Sequence, residues 1–335
     1  MIASGNSPPE LTITGWMLDG IQKAPLQESA NPKGWVPGDG PRWLDVQIPE
    51  EPMTAWQIQP LSDRLAISPA VANLAVDLDH HPRLTRHGQG VILCLWETVV
   101  GTDQPHVESI PFNLWCDGQQ IITLHHQPVN ALAALADALQ QEQKPLGAAG
   151  ALVWLLDKLV QGMHQTISHA TRQVHALETS LQVQDVVPLN GQFVWLRNHL
   201  SRLFLFHAEP QLQALRTLAR LPLAWLDDQG CRPHLKECLT RFSRALRELT
   251  HLNKRLEHLQ EGFSNMLDHR LNSRVYNLTM ITGIAFPMVF LTGLLGVNLG
   301  GIPGSDNPWA FTIFCLFLIV LGWTMAWWFH RQKWL

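Results

Sequence analysis

Cysteine is scarce in this chain of 335 residues: five residues, Cys94, Cys116, Cys231, Cys238 and Cys315, with no CxxC pair. An odd count at these spacings excludes a disulfide framework and fits a reducing compartment for the soluble part. Excess basic charge is also missing. The net charge of −4 excludes the profile of a basic nucleic-acid binder. Met1–Asn6 have neither a basic start nor an apolar core, so no cleavable signal peptide is expected there. HExxH, GxSxG and the P-loop are all absent, and "GAAGALVW" (147–154) reads as a Gly/Ala helix entry rather than a phosphate cradle. No catalytic residue and no resident cofactor are therefore expected, and a membrane-tethered enzyme has no residues to support it.

Near the C-terminus it is charge itself that disappears. Val275 to Val297 is a run of 23 residues without a charged side chain, and Trp309 to Phe329 is a second of 21. At 1.5 Å per residue the first is about 35 Å long as a helix, enough for a hydrocarbon core of about 30 Å. Both runs are apolar all round, as membrane helices are and amphipathic surface helices are not. Arg270 and Arg274 precede the first run, and His330, Arg331 and Lys333 follow the second, whereas the connecting loop carries only Asp306. The positive-inside rule then places both termini in the cytoplasm, with Trp327, Trp328 and Trp334 in an inner aromatic belt.

Charge elsewhere is unevenly distributed. Residues 1–150 hold 7 basic against 16 acidic side chains, and residues 151–274 hold 15 against 11. Upstream of the first span, Leu235, Cys238, Leu239, Phe242, Leu246, Leu249, Leu252, Leu256, Leu259, Phe263 and Met266 recur in steps of three and four. This predicts one helix from about His234 to Val297, a stalk that runs into the membrane without a break. Two helical segments precede it, Ala148–Gln184 and Leu189–Leu221, separated by "DVVP". The remainder reads as an α/β head. Strands are expected at 42–49, 90–100, 109–116 and 119–126, a hairpin turn at Asp117-Gly118, and short helices at 52–60, 69–77 and 129–142. The expected fold class is thus an α/β cytoplasmic head, a long α-helical stalk and two C-terminal transmembrane helices. The segments are 1–147, 148–274, 275–297, a loop at 298–308, 309–329 and a tail at 330–335.

A chain with two spans encloses a pore only as several copies, each offering one helix face to a shared axis. Val275, Thr282, Phe286, Val289, Gly293 and Val297 share one face of the first span. Asn298 falls at its outer end, where a ring of amides would offer carbonyl oxygens to the water shell of a hydrated cation without tight ligation. Gly300 and Gly301 let the chain turn beside that ring. Pro287 would loosen the ladder mid-span, which membrane helices tolerate. Neither span holds an Asp, Glu, Lys, Arg or His, so any proton effect is expected from Asp306 or from cytoplasmic histidines.

"GVN" at 296–298 resembles the signature of the two-span GxN superfamily of divalent-metal transporters, the CorA superfamily. "FLTGLLGVNLGGIPG" (290–304), "GWMLDG" (15–20) and the terminal "HRQKWL" are similar to its ZntB-type zinc transporters. The resemblance implies a funnel-shaped homopentamer in the inner membrane, with the first span lining the pore, the second facing lipid, and 298–308 as a periplasmic loop. It implies Gly296, Val297 and Asn298 as the selectivity motif and Zn2+ as the transported ion, with proton-coupled uptake proposed for the group. CorA-type magnesium channels carry Gly-Met-Asn, so Val297 turns the reading from magnesium toward zinc. Val289 departs from the threonine that related transporters often place there, leaving Thr282 as the hydroxyl on this face. A CorA-like Mg2+/Co2+/Ni2+ channel and a membrane-anchored metal sensor are the alternatives.

Sixteen histidines, among them His80-His81, His125-His126, His164, His169 and His175, raise the question of cytoplasmic metal. Cys231, His234 and Cys238 are the sharpest candidate, since i, i+3, i+7 spacing puts three borderline-soft ligands on one helix face. The competing expectation is that Cys238 packs as a small hydrophobe on the stalk's apolar stripe.

Overall fold

The computed structural model describes residues 12–18, 26–27, 40–48, 62–63, 65, 67–77, 81–100, 107–141, 147–183, 189–297 and 308–331. The chain divides into two compact units, Met1–Leu259 and Gln260–Leu335.

The first unit is built on a seven-stranded sheet. Its strands are β1 (Thr12–Met17), β2 (Leu26–Gln27), β3 (Arg42–Gln47), β4 (Arg83–His87), β5 (Gly90–Val100), β6 (Val107–Cys116) and β7 (Gln120–His125). Their spatial order is β2-β1-β3-β7-β6-β5-β4. Every pairing is antiparallel except β3 with β7, which run parallel with Trp43 opposite Ile121 and Asp45 opposite Thr123. Alternation assigns the two faces. Leu44, Val46, Ile92, Trp115, Ile122 and Leu124 pack with Val71 and Ala75 of α1 (Pro69–Val76). Residues of the opposite parity, such as Trp43, Leu93, Phe112 and Leu114, are equally buried on the other face. There the long helix α3 (Gly147–Val183) contacts β3, β5, β6 and β7. Covered on both faces, β7 has no exposed position, as expected of a central strand.

The short helices begin where local chemistry supplies acceptors for orphan N–H groups. Ser68 Oγ accepts from Val71 N at 3.3 Å, with Pro69 opening α1. In α2 (Asn130–Gln141) the cap comes from the sheet: the Glu97 carboxylate accepts from Asn130 N at 2.6 Å and Ala131 N at 2.8 Å. Burial pushes the Glu97 carboxyl above its usual range, while these two N–H groups pull it back.

The β6–β7 turn is shifted by one residue from the expected Asp117-Gly118. Asp117 N–H donates to Gln120 O at 3.3 Å, so Gly118 and Gln119 are the central pair. Asp117 Oδ1 accepts from the N–H groups of Gln119 and Gln120, at 2.9 and 2.8 Å. Gly118 has φ +91°, and a Cβ there would stand 2.3 Å from Trp225 Cβ, so only glycine fits. Trp225 Nε1 donates to Gln89 O at 2.8 Å, and Gln229 Nε2 to Gly118 O at 3.1 Å. The segment that leads into the stalk helix is thereby tied to two hairpin turns of the sheet.

Expected strands and helices agree with this arrangement to within two residues, apart from the patch at 52–60, which lies outside the described residues. β1, β2 and β4 were not expected. β4 reads "RLTRH" and forms a half-exposed edge, so it lacks the apolar alternation that marks an inner strand. The helix expected over 189–221 is also more complicated. It comprises α4 (Leu189–Arg202), a π-helical stretch Leu203–Ala208, and α5 (Glu209–Arg220). Pro210 has no N–H to donate to Phe206 O, and Glu209 N–H donates to Phe204 O, five residues back.

After α6 (Ala224–Asp228), α7 runs unbroken from Arg232 to Leu295, 64 residues with Pro287 inside it. Within the first unit its stripe Leu235, Cys238, Phe242, Leu246, Leu249, Leu252 and Leu256 is buried, as the spacing predicts. α3 and α7 are cross-braced by Asp157–Arg241, by His164–Glu248 at 3.8 Å, and by a bidentate Glu178–Arg255 pair at 2.5–2.6 Å. Arg255 holds the Glu178 carboxyl below the usual range.

The second unit holds the remainder of α7 and α8 (Ala310–Arg331). Both helices are long and apolar enough to cross a membrane. Their apolar side chains are mostly exposed, including Phe286, Val289, Phe311, Ile319 and Trp323. Such a surface is stable in lipid or against further copies, not in water. At the end of α8, Arg331 lies over the Trp327 ring at 5.4 Å, an interfacial pairing.

Candidate functional site

Helix α7 presents two different faces in the second unit. Met280, Gly283, Ile284, Pro287, Met288 and Leu291 are buried or half-buried, and this side carries the contacts to α8. Val275, Thr282, Phe286, Val289 and Gly293 are all exposed. At about 100° per residue these five fall within about 60° of arc and point roughly opposite the α8-facing side. The face expected from spacing alone is thus exposed, as are Leu278, Ile281, Ala285 and Phe290 beside it.

Its polar groups are few. Thr282 Oγ1 donates to Leu278 O at 2.8 Å, which leaves the oxygen lone pairs turned outward as acceptors. Thr279, exposed at the edge of the same face, donates to Val275 O at 2.8 Å. This second hydroxyl is outside the set of face residues expected from the sequence, although its place one turn from Val275 is legible there. A face of hydroxyl, methyl and phenyl groups has no anion to hold a divalent cation, so an ion passing it keeps its water.

At its C-terminal end the helix stops at Leu295, and Gly296 N–H donates to Thr292 O at 2.9 Å. A Cβ at Gly296 would also stand 2.9 Å from that carbonyl, so any side chain displaces the turn. Val297 follows, exposed. Asn298, Gly300, Gly301 and Asp306 lie outside the described residues.

Cys231, His234 and Cys238 do share a helix face, along a cleft of about 480 Å³ between α3 and α7. Among the described residues no group of three or more His, Cys, Asp or Glu is placed to hold a metal ion. Burial pushes the Cys231 thiol up and the Cys238 thiol to about 12. Cys231 Sγ donates to Gln229 O at 3.4 Å instead. His81, His199 and His207 gather near the π-helical stretch, but as stacking partners: His207 lies 4.3 Å from the Trp96 ring, and His199 stacks on Trp195 at 5.2 Å. His125 bonds Asp45 at 3.3 Å and Gln127 O at 2.9 Å within the sheet.

Burial, with Arg202, His81 and His199 nearby, lowers the His207 pKa to about 4. A folded-state value below the unfolded one means that folding excludes a proton, so this group's contribution to stability falls as pH drops from about 6.5 toward 4. His125 is shifted the opposite way, its raised pKa contributing stability below about 6.5 that is lost as pH rises through the folded value. The melting temperature of the full chain is therefore expected to fall between pH 6.5 and 4, and His207→Gln to flatten that fall. An unchanged slope in His207→Gln would contradict the assignment.

Three comparisons bear on the whole chain. The family model described as "CorA-like Mg2+ transporter protein" matches residues 38–331. "Zinc transport protein ZntB" of Yersinia pseudotuberculosis serotype O:1b is 32% identical over 254 residues, 76% of this chain and 77% of that protein. The protein of the same name from Cronobacter sakazakii is 28% identical over 328 residues, 96% of each. Among solved structures, that of the full-length CmaX protein superposes with a TM-score of 0.77 at 26% identity, covering 98% of this chain and 100% of that one.

Proposed function

Because the chain belongs to the CorA-like Mg2+ transporter family, we propose that it moves divalent metal cations across a membrane, with zinc as cargo. The observation that carries the reading is the uncharged, exposed face of α7 from Val275 to Val297, turned away from α8 in a helix that is apolar enough to span. The names of the curated relatives favour zinc, as does Val297 in place of the methionine of magnesium channels.

One such face cannot enclose an ion, so the transporter is an oligomer, a homopentamer in this reading, with α7 around the axis and α8 toward lipid. Both termini lie in the cytoplasm and the Gly296-Val297-Asn298 turn at the periplasmic mouth. Asn298 offers amide oxygens to the hydrated ion, and Gly300 and Gly301 relieve crowding beside it. The acidic excess of residues 1–150 draws cations to the cytoplasmic side. With no Asp, Glu, Lys, Arg or His between Val275 and Val297 or in α8 before His330, protons act from outside the bilayer, at Asp306 or the histidines, with no fixed proton-to-zinc ratio.

The test is zinc-indicator fluorescence in proteoliposomes, recorded together with an internal pH probe. Time-dependent zinc entry whose proton ratio varies with the gradient is expected. Binding without entry would instead establish a sensor, and a constant ratio would establish coupling by another route.

A further inference from the structure

Two glycines mark where α7 and α8 approach closely, and they sit on opposite helices. At Gly322 of α8 the position a Cβ would take lies 2.2 Å from Met288 Cε and 3.8 Å from its Sδ, so the Met288 side chain fills the notch that the glycine leaves. At Gly283 of α7 the same position lies 3.4 Å from Phe329 Cζ and 3.7 Å from Cε2. One knob thus enters α8 from α7, and another enters α7 from α8. Small residues allow this in a membrane, where packing rather than water exclusion holds helices together.

The two contacts bracket the weak point of α7. Pro287 has no N–H for the carbonyl of Gly283, four residues back, and a proline there kinks or loosens the helix. Gly283 and Met288 lie on either side of that missing bond. A single contact would let α7 swivel about it, whereas two of opposite sense, one on each side of the proline, fix its rotation.

We propose that Gly322 and Gly283, with Met288 and Phe329, are positioning residues that set the rotation of α7, so that Thr282, Phe286 and Val289 face the ion path. The inference rests on reading that exposed face as the path. A rotation by one residue is about 100°. It would swing Thr282 and Val289 off the axis and bring Ile281 and Met288 toward it. No part of this arrangement touches the ion. It acts through which side chains α7 presents.

The experiment uses the full chain in proteoliposomes, with Cys315→Ser removing the one cysteine of α8 and a reporter cysteine at position 289 or 284. A membrane-impermeant thiol reagent reads the rotation directly. In the otherwise unaltered chain Val289→Cys should react and Ile284→Cys, on the α8 side, should not. Gly322→Met fills the notch and should cut Val289→Cys labelling roughly tenfold by overpacking. Adding Met288→Ala, which moves the knob from one helix to the other, should restore labelling and zinc flux together. Unspecific damage would not be rescued by shortening one methionine. Unchanged labelling in Gly322→Met, or no rescue by Met288→Ala, would overturn the positioning role while leaving the path intact. An unreactive Val289→Cys in the unaltered background would overturn the path itself, and the positioning role with it.

Discussion

Asn298→Ala is expected to abolish zinc flux while the oligomer still assembles. The face that runs from Val275 to Val297 offers an ion only hydroxyl and hydrocarbon, and the hydroxyls of Thr279 and Thr282 are already donating to their own helix. The first side chain along this face able to engage a hydration shell strongly is therefore the amide at its outer end. Without it the hydrated ion meets no side-chain acceptor of comparable strength at the end of this face. A fall of at least about 100-fold is expected, equivalent to about 2.7 kcal/mol on the barrier. Gly296→Ala should act on the same step for a different reason. Its Cβ would stand 2.9 Å from Thr292 O, so the turn that delivers Asn298 to the mouth has to move. Wild-type flux in a well-assembled Asn298→Ala protein would remove Asn298 from the mechanism.

Leu256→Pro is the second large effect, and it concerns the stalk. Leu256 is fully buried, 24 residues into α7 and well short of the spans. Proline there deletes the bond to Leu252 O and clashes with that carbonyl, costing about 3 kcal/mol or more. Leu256→Ala provides the comparison, because it leaves the helix intact and costs only the side chain and its cavity, about 2–5 kcal/mol for a buried leucine. The measurements are melting temperature and oligomer mass in detergent. The alanine variant should melt lower yet keep its oligomer, and the proline variant should melt lower still and dissociate. Indistinguishable behaviour of the two would mean that continuity of α7 through this region does not matter to assembly.

Much of this was legible because one pattern dominates each region. The two spans announce themselves by the absence of charge, and the stalk by a step of three and four that persists until Met266. The 11-residue strand β5 was read to its exact ends, since its long β-branched run stops at glycine on one side. What escaped depended on partners distant in the chain. The edge strand β4 is polar because one side of it meets solvent, so its sequence resembles a loop. The π-helical stretch needs Pro210 to fall one turn after Phe206 within an otherwise good helix, a signal too short to stand out. The Cys231–His234–Cys238 spacing was correct as geometry, since all three line one cleft, but spacing carries no information about burial, which here pushes both thiols up. The reciprocal notches at Gly283 and Gly322 were invisible for the same reason: a glycine in a span reads alike whether it faces lipid or a methionine.

The central claim is that the exposed face of α7 conducts zinc. Its most direct measurement is initial uptake of radioactive zinc and of radioactive magnesium, side by side, in proteoliposomes holding the purified chain under the same gradient. The account predicts saturable zinc entry that vanishes in Asn298→Ala, with magnesium entry no greater than in empty vesicles. Magnesium entry equal to or above that of zinc would contradict it and make the chain a magnesium channel with an atypical valine at position 297.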